Sequence, residues 1–123
     1  MKIFVAHASS FDFKNKLYAP IRESVLNTEH EFFLPQETGD EEVTLETIKN
    51  SDALVCEVSI PSTGAGIEMG WAHASHIPIL CIYEKGSQPQ VSAEYVATEY
   101  VEYADSADMI GKIQRFIQRI SPR

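Results

Sequence analysis

The stretch "ALVCEVSIPSTGAGIEMGWAHASHIPILCIY", residues 53–83, decides the fold. Its opening run (53–60) is apolar and rich in β-branched residues, the composition of a buried strand. Residues 64–76 then space Ile67, Trp71 and Ala74 so that they share one helical face. Pro78 ends that helix, and residues 77–83 form a second apolar run. Strand, helix and strand in close succession predict a parallel pair joined by a crossover helix.

The same alternation extends in both directions. "KIFVA" (2–6) reads as a first strand. Phe13, Leu17, Ile21 and Val25 then mark one helical face across 13–26, with Pro20 starting or kinking the helix. "HEFFLP" (30–35) is a strand closed by proline, and "QETGDEE" (36–42) an acidic solvated loop. Val43, Leu45 and Ile48 lie on a short amphipathic helix over 43–50. A polar loop (84–90), a short helix over 91–98 and an edge strand "YVEY" (100–103) follow. The last helix, 107–120, gathers Met109, Ile113, Phe116, Ile117 and Ile120 on one face. These elements predict a three-layer α/β fold of the Rossmann or flavodoxin-like kind: a five-stranded parallel sheet, order 2-1-3-4-5, with helices on both faces. One domain over 1–123 is expected.

Bulk properties narrow the function. A formal net charge of -8 opposes general nucleic-acid binding, which needs Lys and Arg against phosphates. With 44% hydrophobic and 23% charged residues the composition is that of a globular protein. No run of 18 apolar residues is present, and the start lacks a signal peptide, so a cytoplasmic protein with no membrane contact is expected. Cys56 and Cys81 lie in apolar runs, as buried reduced thiols do.

In such a sheet, ligands sit beyond the strand C-termini at the switch point. Three loops are expected to meet there: 6–12, 59–66 and 84–92. In the second, Ser62 and Thr63 suit a helix N-cap, and Gly64 and Gly66 permit either positive φ or a close approach. A phosphate-sized anion fits such a helix start. It is neither a Walker loop, lacking the Gly-Lys-Ser/Thr ending, nor the dinucleotide fingerprint, whose glycine spacing differs and which follows the first strand. Glu68 is a carboxylate just past this cradle. A first-turn acid gains from the helix dipole, while a carboxylate beside an anion site can act as nucleophile or base. A receiver domain is excluded because "AHASS" and "VSIPS" lack its aspartates. A flavodoxin would need its phosphate loop after strand one, and "HASSFDF" is not one.

"SDALVCEVSIPSTGAGIEMGWA" together with "IPILCIYEKGSQPQVSAEYVA" resembles the nucleoside 2-deoxyribosyltransferase superfamily, nearest its 2'-deoxynucleoside 5'-monophosphate N-glycosidase branch. The similarity covers about residues 51–98, more loosely 1–25. The resemblance implies that Glu68 is the nucleophile at C1', through a covalent glycosyl ester of the kind retaining glycosidases form. It implies that Ser62 binds the 5'-phosphate and that Ser92 reaches the same phosphate across a homodimer. A small-molecule nucleotide or nucleoside partner is expected, without cofactor or metal.

This sequence also departs from the family pattern. The aspartate that helps the leaving base falls at Thr44, and threonine is no general acid. Glu41, Glu42 and Glu46 lie nearby, as a substitute or as a solvated acidic face. The strand-one tyrosine falls at Ile3, and the first-loop arginine near Ser9. His7 is left in that loop as a ligand contact, a proton carrier or a structural histidine. His73 and His76, without a third ligand, define no zinc site. Trp71 reads as packing; Tyr95 and Tyr100 are aromatics able to stack on a base. Two functions stay open: an enzyme cleaving or transferring the N-glycosidic bond of nucleoside monophosphates, possible also on a ribonucleotide or dinucleotide, and a nucleotide-binding module that has lost catalysis.

Overall fold

The computed structural model describes residues 1–39 and 41–121. Five strands, β1 (Lys2–His7), β2 (Glu31–Phe33), β3 (Ala53–Glu57), β4 (Ile79–Glu84) and β5 (Glu99–Tyr103), pair in parallel in the order β2-β1-β3-β4-β5. The predicted order and edge position of β5 are therefore met. All five residues of β3 are buried, which is why its sequence is a continuous apolar run instead of an alternating one. Cys56 and Cys81 are free, buried and in register on β3 and β4.

Helices cover both faces. On one side a π-helical turn (Lys14–Tyr18), α1 (Ala19–Glu23), α2 (Leu26–Glu29) and α5 (Ser106–Ile120) pack Leu17, Ile21, Leu26, Met109, Ile113 and Phe116 onto Ile3, Val5, Val55 and Leu80. On the other, α3 (Leu45–Lys49), α4 (Thr63–Ala74) and a 3-10 turn (Val91–Tyr95) pack Ile48, Ala65, Met69, Ala72 and Ala93 onto Phe4, Leu54, Cys56 and Ile79.

Three sequence expectations change. The helix predicted over 13–26 is a π-turn running into α1, with Pro20 in the first turn of α1, where its missing N–H is tolerated. It ends at Ser24, whose backbone is extended, so the four-residue spacing fails there: Val25 is exposed and Leu26 takes its place in the core. On α4 the buried face is Ala65, Met69 and Ala72; Ile67 and Ala74 are exposed and Trp71 is only partly buried against the core. Small residues share the contact face with Met69, and Ile67, which the periodicity assigned inward, points out. Leu45 on α3 is likewise exposed, while Ile48 carries that helix's burial.

Candidate active site

A cavity of about 370 Å³ opens above the C-terminal ends of β1 and β3, where the strand order reverses. That volume lies within the range of small-molecule sites, about 300–1,000 Å³. Its walls are His7 at the end of β1 and Ser9 after it, Pro35, Gln36, Glu41 and Val43 after β2, and the N-cap Ser62 with Gly64, Ala65 and Glu68 of α4. Five of the seven predicted site residues thus meet in one cavity: Glu68, Ser62, Gly64, His7 and Ser9. The loop after β2 forms a further wall, and of the three acids that the sequence offered in place of the family's aspartate it brings Glu41 to the cavity. The loop after β4 braces the start of α4: the Gln90 side-chain oxygen accepts from the Ser62 N–H at 3.1 Å, and the Gln90 backbone N–H donates to the Val58 carbonyl at 2.9 Å.

The two predicted residues outside the cavity lie nearby. Gly66 faces that brace, where an added Cβ would come 3.6 Å from Gln90 Nε2, an ordinary contact. Ser92 lies on a separate shallow surface with Val91, Glu94 and Tyr95. Neither Tyr95, almost fully exposed, nor Tyr100, packed on Tyr83 with ring centroids 5.0 Å apart, lines the cavity.

Ser62 is the N-cap of α4: its Oγ accepts from the Ala65 N–H at 3.2 Å. The Gly66 N–H is taken by the Ser62 carbonyl at 3.0 Å. Among the described residues, this leaves the first-turn N–H groups of Thr63 and Gly64, with the Ser62 hydroxyl proton, as donors for an anion. Positive φ among glycines occurs at Gly39 and Gly86, not at Gly64 or Gly66. Nor does packing demand a glycine at 64, since an added Cβ would meet no protein atom nearer than Ser62 Oγ at 3.9 Å. Gly64 lines the cavity.

Glu68 is the sixth residue of α4, beyond the first turn where the helix dipole acts, so the dipole does not account for it. Its four-residue spacing from Gly64 puts both on one side of the helix. Among the described residues the carboxylate has no hydrogen bond or ion pair. Burial without compensation pushes its pKa from an ordinary 4.5 up to about 7. An uncompensated, half-buried carboxylate in a cleft marks a candidate functional group.

The opposite wall carries a network that sequence reading missed. His7 Nδ1 lies 2.8 Å from the Ala8 carbonyl, which only accepts, so Nδ1 carries the proton. Nε2 then accepts from the Tyr18 hydroxyl at 2.6 Å, and that oxygen in turn accepts from the Gln36 N–H at 3.1 Å. Burial lowers the His7 pKa, keeping it neutral, and raises that of Tyr18 to about 12. Glu68 lies close enough to add to the Tyr18 shift. Tyr18 comes from the π-turn, eleven residues from His7, and no residue pattern marked it. Arg22 holds the same wall, donating to both Glu37 oxygens at 2.8 Å and to the Phe32 carbonyl.

Thr44, which the resemblance sets at an aspartate position, is the N-cap of α3: its hydroxyl accepts from the Thr47 N–H at 3.3 Å, and the Thr47 hydroxyl accepts from the Thr44 N–H at 3.2 Å. It does not line the cavity. His73 is exposed on α4, and His76 follows the helix in the left-handed conformation. Among the described residues, no three His, Cys, Asp or Glu side chains are grouped to hold a metal. No described helix is long and apolar enough to cross a membrane.

No protein-family model matches the chain. A segment of 46 residues, 37% of the chain, is 48% identical to the "Putative 2'-deoxynucleoside 5'-phosphate N-hydrolase 1" of Syntrophotalea carbinolica and spans 32% of that relative's length. The CMP N-glycosidase of Clostridium botulinum has the same fold, with a TM-score of 0.66 at 18% identity, over 93% of this chain and 99% of that one. A 2-deoxyribosyltransferase from Bacillus psychrosaccharolyticus superposes with a TM-score of 0.62 at 19% identity, over 89% of this chain and 90% of that one. The structural likenesses establish the fold, and the matched segment carries the resemblance to the N-hydrolase branch of the deoxyribosyltransferase superfamily.

Proposed function

We propose that this protein cleaves or transfers the N-glycosidic bond of nucleoside or deoxynucleoside 5'-monophosphates, with Glu68 as nucleophile. The observation that carries the proposal is the placement of an unpaired, half-buried carboxylate in the same cavity as the open first turn of α4. The 5'-phosphate rests on the Ser62 hydroxyl and the Thr63 and Gly64 N–H groups. This anchors the sugar with C1' toward Glu68. The ionised carboxylate attacks C1' as the base departs with the bond electrons, forming a glycosyl ester. Water resolves the ester in hydrolysis, and a second base resolves it in transfer. His7, Ser9 and the β2 loop border the remaining space.

A homodimer belongs to the same proposal, with Ser92 completing the phosphate site of the partner. It is supported by the position of Ser92 outside its own cavity and by the exposed apolar side chains of Ile67, Val91 and Tyr95. A cytoplasmic location is supported by the two unbonded cysteines. The second reading, a nucleotide-binding module without catalysis, is favoured by one observation: Thr44 is committed to capping α3 and supplies no acid. Incubation with a panel of nucleotides, assaying free base, separates the two. Release that vanishes in Glu68→Ala supports the enzyme; saturable binding without release supports the module.

A further inference from the structure

Departure of a nucleobase leaves a negative charge on its nitrogen unless a proton arrives with the bond cleavage. Glu68 cannot supply that proton while acting as an ionised nucleophile. Among the described residues, the other carboxyl group on the cavity walls is Glu41. It lies on the β2 loop. The loop is closed by the Glu41 N–H donating to the Pro35 carbonyl at 3.0 Å, and its neighbours on the cavity wall are Pro35, Gln36 and Val43. Thr38 Oγ1 donates to Glu41 Oε1 at 3.5 Å. Upstream, the loop is pinned to the body of the protein by the Gln36 N–H on Tyr18 and by Glu37 on Arg22. Glu42 and Glu46 are exposed and do not line the cavity.

We infer that Glu41 is the proton donor to the leaving base, resting on the N-glycosidase reading above. In the first step the C1'–N bond breaks with its electron pair going to the base, the Glu41 proton moves to the base nitrogen, and a Glu68 oxygen bonds to C1'. In the second, water attacks C1', its proton passes to the Glu41 carboxylate, and the ester bond breaks to regenerate ionised Glu68. The acid is carried by a residue three positions before Thr44, on the loop that leads into α3.

The test compares wild type, Glu41→Gln and Glu42→Gln on 5'-monophosphates with bases of graded leaving ability. The series runs from guanine and uracil to 5-fluorouracil and N7-methylguanine, the last of which leaves neutral without protonation. General-acid assistance is worth about 10²–10⁴-fold. The expected result is a loss of kcat/KM of roughly 10²-fold or more in Glu41→Gln on unmodified bases, narrowing to within about threefold on N7-methylguanine, with Glu42→Gln unchanged throughout. An equal loss on every base, or no loss, overturns the role of Glu41 while leaving the N-glycosidase reading in place. No release by wild type from any substrate, N7-methylguanine included, overturns both. Glu41 is exposed, and matching thermal transitions of the two variants establish that folding is not what is measured.

Discussion

Replacing Glu68 by glutamine should stabilise this protein at alkaline pH and not at acid pH. The raised pKa of Glu68 means that the folded state holds its proton more tightly than the unfolded chain does. Its contribution to stability is therefore fully present below about 4.5 and is lost as pH rises through about 7. Glutamine has nearly the same shape and no charge to desolvate, so it keeps that contribution at every pH. At full weight a shift from 4.5 to about 7 corresponds to roughly 3 kcal/mol. The carboxylate borders an open cavity, and solvent screening brings the expected gain to ~1–2 kcal/mol. The assay is urea unfolding of wild type and Glu68→Gln from pH 4 to 8.5, taking the difference at each pH. Titration of His7 and Glu57, common to both proteins, largely cancels in that difference. The two should coincide near pH 4, diverge between about 4.5 and 7, and hold a constant gap above. A gap independent of pH, or a less stable glutamine variant at pH 8, would refute the argument that Glu68 is an uncompensated charge.

Ser62 serves two purposes that substitution separates. Ser62→Ala removes the cap and costs about 1 kcal/mol of stability, and should weaken a 5'-monophosphate far more than the matching nucleoside in calorimetric titration; equal weakening of both would sink the phosphate role. Ser62→Asn should restore the cap, and with it the stability, without restoring phosphate affinity. Gly64→Ala should fold as well as wild type or be stabilised by roughly 0.5–1 kcal/mol, since alanine suits a helix better. Its added methyl should nevertheless reduce nucleotide affinity; unchanged affinity would place the phosphate elsewhere.

Much of this architecture was legible in the sequence, because β1, β3 and β4 are continuous apolar runs and the breaks between elements carry Pro, Gly or Ser. The cavity's position followed from the switch point, and Ser62, Gly64 and Glu68 from their spacing at the start of α4. Helix faces were less legible. On α4 the inward residues are mostly small, so hydrophobic size pointed to Ile67, which is exposed, and to Trp71, which is only partly buried against the core. The break at Ser24 moved burial from Val25 to Leu26, a change of backbone conformation that side-chain periodicity does not register. Tyr18 reaches the site through a π-turn, a tertiary placement that no local pattern carries. Glu41 was one of three acids between which the sequence did not choose, and the loop closed on Pro35 sets it at the cavity.

The central claim is that Glu68 bonds covalently to the sugar. The most direct measurement is rapid acid quench of the protein with a cleavable nucleoside 5'-monophosphate, followed by intact and peptide mass spectrometry. The account predicts release of free base together with a mass increment of one phosphorylated sugar, localised to Glu68 and absent in Glu68→Ala. Base release that persists undiminished in Glu68→Ala, or an increment localised to another residue, would contradict it.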